Sequence, residues 1–348
     1  MNKQYLQIVV AVVLLTGWTQ ASETQTELAP EIRLVAPWEL AGPLVMVWPE
    51  RLSGGRRMIP DTLELIQHLP EDIDVALAGE RPPRIDWVPE IGRDTRYLPI
   101  TTARTRDVGV WAGLPAATAE GRLINVRFDI PTQSIDRRER SNLRDNHEAA
   151  RQLGRLLYGE SRDEIPLRIN PLQLTHNGRG IALLSNRVIS ENEGLSLTEI
   201  RNRLKSQVGL HTILFVPVPA SEPRGFIDGY LRFVGTDTLL ISEPIPHDSD
   251  SREQHRDLLN LLEQELDSDI QWIRIPRPSG APQPGASYLH LIQAGNTLIT
   301  PQFQSPEDQP TLSLLRRALP EAEVVPVRAE WLADLTPDLR LNRIAIWQ

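Results

Sequence analysis

Short apolar runs and amphipathic stretches take turns along most of the chain. Runs with β character fall at Leu44–Trp48, Leu123–Phe128, Ile181–Leu184, Ile213–Val218, Tyr230–Val234, Thr238–Ser242, Ile270–Ile275 and Thr297–Thr300. Between them, Pro60–His68, Ser141–Tyr158, Ser196–Val208, Arg252–Leu266 and Pro310–Leu319 read as helices. In the second of these, Leu143, Ala150, Leu153, Leu156 and Leu157 keep a helical period while charges fill the opposite face. Asp61 lies in the first turn of the first helix, and Thr198 precedes Glu199 at the start of the third. Strands and helices alternating with no break in composition predict an α/β domain. Pro276–Gly285 is rich in proline and glycine and predicts a surface loop. No repeat is visible at the level of residue identity, although a strand-strand-helix-strand cadence recurs.

The first residues follow a different pattern. Lys3 precedes a mostly apolar stretch from Leu6 to Leu15, and Thr19-Gln20-Ala21 leads into an acidic polar segment. This layout predicts a cleavable export signal over residues 1–21, with a single domain over 22–348. Ile8–Leu15 is shorter than the ~20 apolar residues of a bilayer span. The expected location is outside the cytoplasmic membrane, in the periplasm.

Composition narrows the chemistry. The 348 residues are 40% hydrophobic and 24% charged, near the averages for soluble globular proteins. With 37 basic against 46 acidic residues and a net charge of -9, the chain lacks the clustered cations that nucleic-acid binding needs. It has no cysteine, which removes disulfides, thiolate metal sites and any cysteine nucleophile. Its seven histidines show no paired metal-ligand spacing, so no metal or cofactor is expected. Gly178-Arg179-Gly180 reads as a turn rather than a dinucleotide fingerprint, and no nucleophile elbow is present.

Four stretches, in order, resemble the agmatine deiminase and bacterial peptidylarginine deiminase family. Pro37-Trp38-Glu39 and Val47-Trp48-Pro49 are similar to its opening W-E…W-P. Arg106-Asp107-Val108-Gly109 resembles its W-x-R-D-x-G-P, with Arg104 in place of the Trp and Val110 in place of the Pro. The run from Gly225 to Phe233 resembles G-H-x-D-G-x-x-R-F, and Ser287-Tyr288 with Pro301-Gln302-Phe303 resembles S-Y…P-Q-F. Gly178-Arg179-Gly180 and Asn192 fit a G-x-G turn and a later Asn between the second and third stretches. The resemblance implies a pentein-like fold: five ββαβ modules arranged as a propeller around a central channel that holds the site. It also implies hydrolysis of a guanidinium to a ureido group and ammonia through a covalent thioether.

A guanidinium is planar and cationic, so its site wants carboxylates that accept paired N–H bonds. Its carbon is a poor electrophile, so attack needs a thiolate, with a histidine to move protons. The resemblance carries the two carboxylates over to Asp107 and Asp228, together with Trp38 and Arg232. It places Phe226 at the histidine position and Ala345 at the cysteine position. His290 stands where the family has an asparagine, and Asn170-Pro171-Leu172 replaces Glu-Gly-Gly. The departures gather at the catalytic centre while framework positions are kept, which predicts an inactive protein that binds a guanidino compound, an arginine peptide or a protein partner. An active hydrolase with a non-cysteine mechanism and an envelope protein with a plugged channel are the competing readings. Arg104 and Arg343 are the candidate plugs, each an internal mimic of the ligand. Simpler roles stand beside these: Asp107 as an ion pair or turn cap, Asp228 in a filled channel, Trp38 and Trp48 as packing residues.

Overall fold

The computed structural model describes residues 33–39, 42–48, 59–84, 86–100, 116–117, 123–127, 148, 151–157, 159, 162–218, 222, 225–245, 247–279, 286–329 and 345–347. Their strands form five separate sheets. β1 (Leu44–Val47), β2 (Val75–Gly79) and β3 (Thr95–Pro99) are joined, on the β1 side, by β16 (Ala345–Trp347) from the far end of the chain. The second sheet holds β4 (Ala116–Ala117), β5 (Leu123–Arg127) and β6 (Arg162–Arg168). The third holds β7 (Leu174–His176), β8 (Ile181–Ser185) and β9 (Thr212–Val216). The fourth holds β10 (Leu231–Phe233), β11 (Thr238–Ser242) and β12 (Gln271–Ile275), and the fifth β13 (Ile292–Ala294), β14 (Thr297–Gln302) and β15 (Glu323–Arg328). Each three-stranded sheet is an antiparallel pair followed by a helical crossover to a third strand parallel to the middle one. β16, β1, the helix Ile59–His68 and β2 repeat that unit across the two ends of the chain.

The middle strands explain why these sheets need one another. β11 is buried at every position, and its successive side chains point to opposite faces. Leu239 and Ile241 enter a core with Leu183 and Val216 of the preceding sheet and Leu258 and Leu262 of the helix Ser249–Glu265. Leu240 faces another core, with Tyr288, Leu298, Leu312 and Leu315. β8 divides likewise: Ala182 and Leu184 face one core and Leu183 the next. Of β14, Leu298 and Ile299 again enter different cores. Strands buried on both faces read as continuous apolar runs, and β8, β11 and β14 are among the runs that the sequence pattern picks out.

The strands that the pattern misses are edges. β3, β6 and β15 end their sheets and carry Pro99, Pro166 and Pro326 together with charged residues. An edge strand tolerates proline and charge more readily than a central one. β2 is missed for another reason: Val-Ala-Leu-Ala-Gly is fully buried but has weak β propensity.

The helices sit close to expectation, with corrections at their starts. Ser196 caps Leu197–Val208: its Oγ accepts from the Glu199 N–H while the Glu199 carboxylate accepts from the Ser196 N–H. The helix expected from Arg252 begins at Ser249, because the Asp248 side chain accepts from the N–H groups of Asp250 and Ser251. Residues 151–157 are helical within the stretch expected at 141–158. The loop expected at 276–285 lies outside the described residues beyond Ser279. No helix among the described residues is long and apolar enough to cross a membrane.

Because Leu240 and Ile241 serve different cores, their losses should add. Leu240→Ala is expected to cost about 2–5 kcal/mol and Ile241→Val about 0.5–1.5 kcal/mol. In urea unfolding the double variant should fall within about 0.5 kcal/mol of their sum, and a larger deviation would show that the strand's two faces share one core.

Candidate functional site

Turns that lead into the first strands of successive sheets supply the candidate site. Asp228 lies in the Gly225–Tyr230 turn, three positions ahead of β10, and His290 lies two positions ahead of β13. The turns are fastened together by Ser287, whose Oγ donates to the Gly229 carbonyl at 2.8 Å and accepts from the Leu289 N–H. Asp228 and His290 are 7% and 4% exposed. His290 Nε2 stands 3.8 Å from Asp228 Oδ2, at ion-pair distance. Arg232, one position into β10, donates from Nη1 to the Leu289 carbonyl at 3.3 Å. Burial pulls its guanidinium down to about 10, with the Asp228 carboxylate working against that, so it remains a cation at neutral pH.

Gly229 makes the close approach possible. A Cβ there would lie 2.7 Å from His290 Nε2, inside any permitted contact. Gly225 opens the same turn at φ +75°, where a Cβ would also meet the Arg187 side chain at 2.7 Å.

On the other side, the Ile227 N–H donates to the Leu172 carbonyl at 2.8 Å, joining the Asp228 turn to the 170–173 turn ahead of β7. That turn holds a buried polar hub. Asn170 Oδ1 accepts from the Leu172 N–H, Gln173 Oε1 accepts from the Asn170 N–H, and Gln173 Nε2 donates to both Glu191 oxygens at 3.2 and 3.1 Å. Burial raises the Glu191 carboxyl to about 6, against the opposing pull of the Gln173 bond and Arg187. Asn170 departs from the family motif in the sequence, whereas Gln173 and Glu191 belong to no motif there. Asn170 and Gln173, three positions apart beside a proline, carry a local turn signal. Nothing local links Gln173 to Glu191 across 18 positions.

The remaining expected positions are placed as follows. Phe226 is 5% exposed. Trp38 sits in a 3-10 turn and packs, partly buried, on the core that holds Ile227 and Leu231. Trp48 is buried in the core around β1 and β2. Ala345 is the first residue of β16, in register with Met46. β13, the strand after His290, lies against both the Trp38 turn and β16. The structure thus brings together Asp228, Arg232 and His290, and sets β13, the strand after His290, beside the Trp38 turn and β16. Asp107, Arg104 and Arg343 lie outside the described residues. Among the described residues no three His, Asp or Glu side chains are grouped to hold a metal ion.

Five ββαβ units, three of them joined by polar turns ahead of their first strands β7, β10 and β13, define an α/β protein of the pentein class. The family model of Porphyromonas-type peptidyl-arginine deiminase matches residues 33–336, and the chain belongs to that family. Agmatine deiminase from C. jejuni is similar in structure, with a TM-score of 0.73 at 18% identity over 90% of this chain and 95% of that one. Agmatine deiminase of Enterococcus faecalis gives 0.68 at 13% identity, covering 90% and 95%. DDAH from Pseudomonas aeruginosa, solved with citrulline, gives 0.51 at 12% identity, covering 88% and 99%. At these identities the likeness speaks for the fold.

Two measurements test this geometry. Glu191 binds its proton more tightly in the folded chain than the ordinary value of 4.5, so its contribution to stability is present below that pH and is lost as pH rises through about 6. The difference amounts to about 2 kcal/mol. Glu191→Gln should remove this loss, gaining on the wild type as pH rises from 4.5 to above 6 in urea titrations; parallel pH curves would contradict the assignment. Gly229→Ala should cost about 1–3 kcal/mol through the His290 contact. His290→Ala in the same chain should recover part of that cost, and strict additivity would show that the two do not touch.

Proposed function

We propose that this protein is an exported, catalytically inert member of the deiminase family, with its five units set in a ring around a site that keeps the recognition of a guanidino group without its hydrolysis. The observation that carries this reading is the complete absence of cysteine, joined to a buried phenylalanine, Phe226, at the position the family motif gives to histidine. An amidine carbon stabilised by delocalisation needs a strong nucleophile, and the leaving ammonia needs a proton donor. An alanine methyl and a phenyl ring supply neither. What remains is recognition chemistry: Asp228, 7% exposed, beside the cationic Arg232, with Asp107 as the second carboxylate that the family resemblance carries over. A cationic guanidino compound or an arginine-bearing peptide fits such carboxylates. The ring is supported by the succession of cores, since each contains the helix of one unit and the back of the sheet before it, from the 7–9 strands through 10–12 and 13–15 to the sheet of β1 and β16. The export reading rests on the Lys3-to-Ala21 pattern alone.

The test is a deiminase assay on the full chain, with agmatine and with peptides carrying arginine, reading ammonia and ureido product at high protein concentration. No turnover above a boiled control is expected. Sustained turnover would replace this reading by a hydrolase with a non-cysteine mechanism. Ala345→Cys alone should stay inactive, because a thiol without an acid-base partner is mostly protonated near neutral pH.

A further inference from the structure

We infer that His290 is the internal occupant of the Asp228 carboxylate and the residue that sets how weakly this site takes a guanidinium. This deepens the proposed function and rests on its placement of Asp228 as the recognition carboxylate. Three observations lead to it. The imidazole is seated, not swinging: its Nε2 lies 3.8 Å from Asp228 Oδ2, and its ring fills the space where Gly229 has no side chain. Its backbone is held by a bond from the His290 N–H to the Ser287 carbonyl at 3.1 Å, and Ser287 is itself bonded to Gly229. Finally, the family motif has an asparagine where this chain has His290, whereas Arg232 stands in the motif on both sides of the comparison. The histidine is therefore the feature of this cluster that departs from the motif.

The physical consequence follows from how a guanidinium is recognised. Its fork donates two parallel N–H bonds, one to each carboxylate oxygen, and this needs both oxygens approachable in one plane. With an imidazole at ion-pair distance from Oδ2, the second prong must displace a ring that Gly229 and the Ser287 turn hold in place. When protonated, the ring also repels an incoming cation in a buried site where charge is poorly screened. A neutral asparagine side chain is smaller and carries no charge. The Arg232 cation remains in either case, so the occupancy of Asp228 turns on residue 290.

The experiment measures agmatine binding to the full chain by titration calorimetry and by the rise in melting temperature on ligand addition. The wild type should bind weakly, His290→Asn at least about tenfold more tightly, and adding Asp228→Asn to that variant should abolish the gain. Because the asparagine variant leaves a smaller side chain in a packed turn, His290→Gln, closer in size and uncharged, serves as the second variant, with a gain in the same direction. The inference is overturned if agmatine binds the wild type as tightly as either folded variant. It is equally overturned if the gain survives the loss of the Asp228 carboxylate. The deiminase assay separates the two levels: turnover by the wild type defeats the proposed function, whereas an inert wild type whose His290 variants gain no affinity defeats only the role given to His290.

Discussion

Everything in this fold depends on strands that are buried on both faces. A three-stranded sheet with one helix can cover one side of itself, and the other side of β8, β11 and β14 is as apolar as the first. Each unit must lend the back of its sheet to the helix of the next, so that no unit is complete alone. The same need accounts for β16, whose three residues pair with β1 at the opposite end of the chain. Without it the first unit would lack the antiparallel partner that each of the others has.

That packing also fixes the site. When similar units are laid side by side, the turns ahead of their first strands are brought together, and those turns carry whatever chemistry the sequence places there. Here they carry Asn170 and Gln173 ahead of β7, Asp228 ahead of β10 and His290 ahead of β13. The side chains are polar and buried, and the turns are held together by the Ile227 N–H donating to the Leu172 carbonyl and the Ser287 hydroxyl donating to the Gly229 carbonyl. A buried polar group left without a partner costs about 1–3 kcal/mol, which these bonds avoid.

The replacement of Glu-Gly-Gly by Asn170-Pro171-Leu172 takes on meaning in this setting. Two flexible glycines have given way to a turn stiffened by proline and tied by the Asn170 and Gln173 side chains. The polar hub it forms with Glu191 is turned to internal bonding. Phe226, a buried phenyl ring, lies in the turn joined to the 170–173 turn by the Ile227 N–H bond to the Leu172 carbonyl.

The sequence by itself determined the class of fold, the order of helices and every interior strand but β2, because continuous apolar runs and helical periods are local properties of the chain. It also determined that no thiolate chemistry is available, since that follows from composition alone. The family resemblance singled out Asp228, Arg232 and His290 as separate motif positions. Only the tertiary structure decided that the imidazole and the carboxylate meet, because 62 positions separate them and the meeting depends on Ser287 fastening one turn to another. The edge strands were hidden for a related reason: β3, β6 and β15 are strands because a buried neighbour offers them a ladder, not because their own residues favour one. Gln173 and Glu191 were silent in the sequence because a hydrogen bond between distant side chains leaves no periodic trace along the chain.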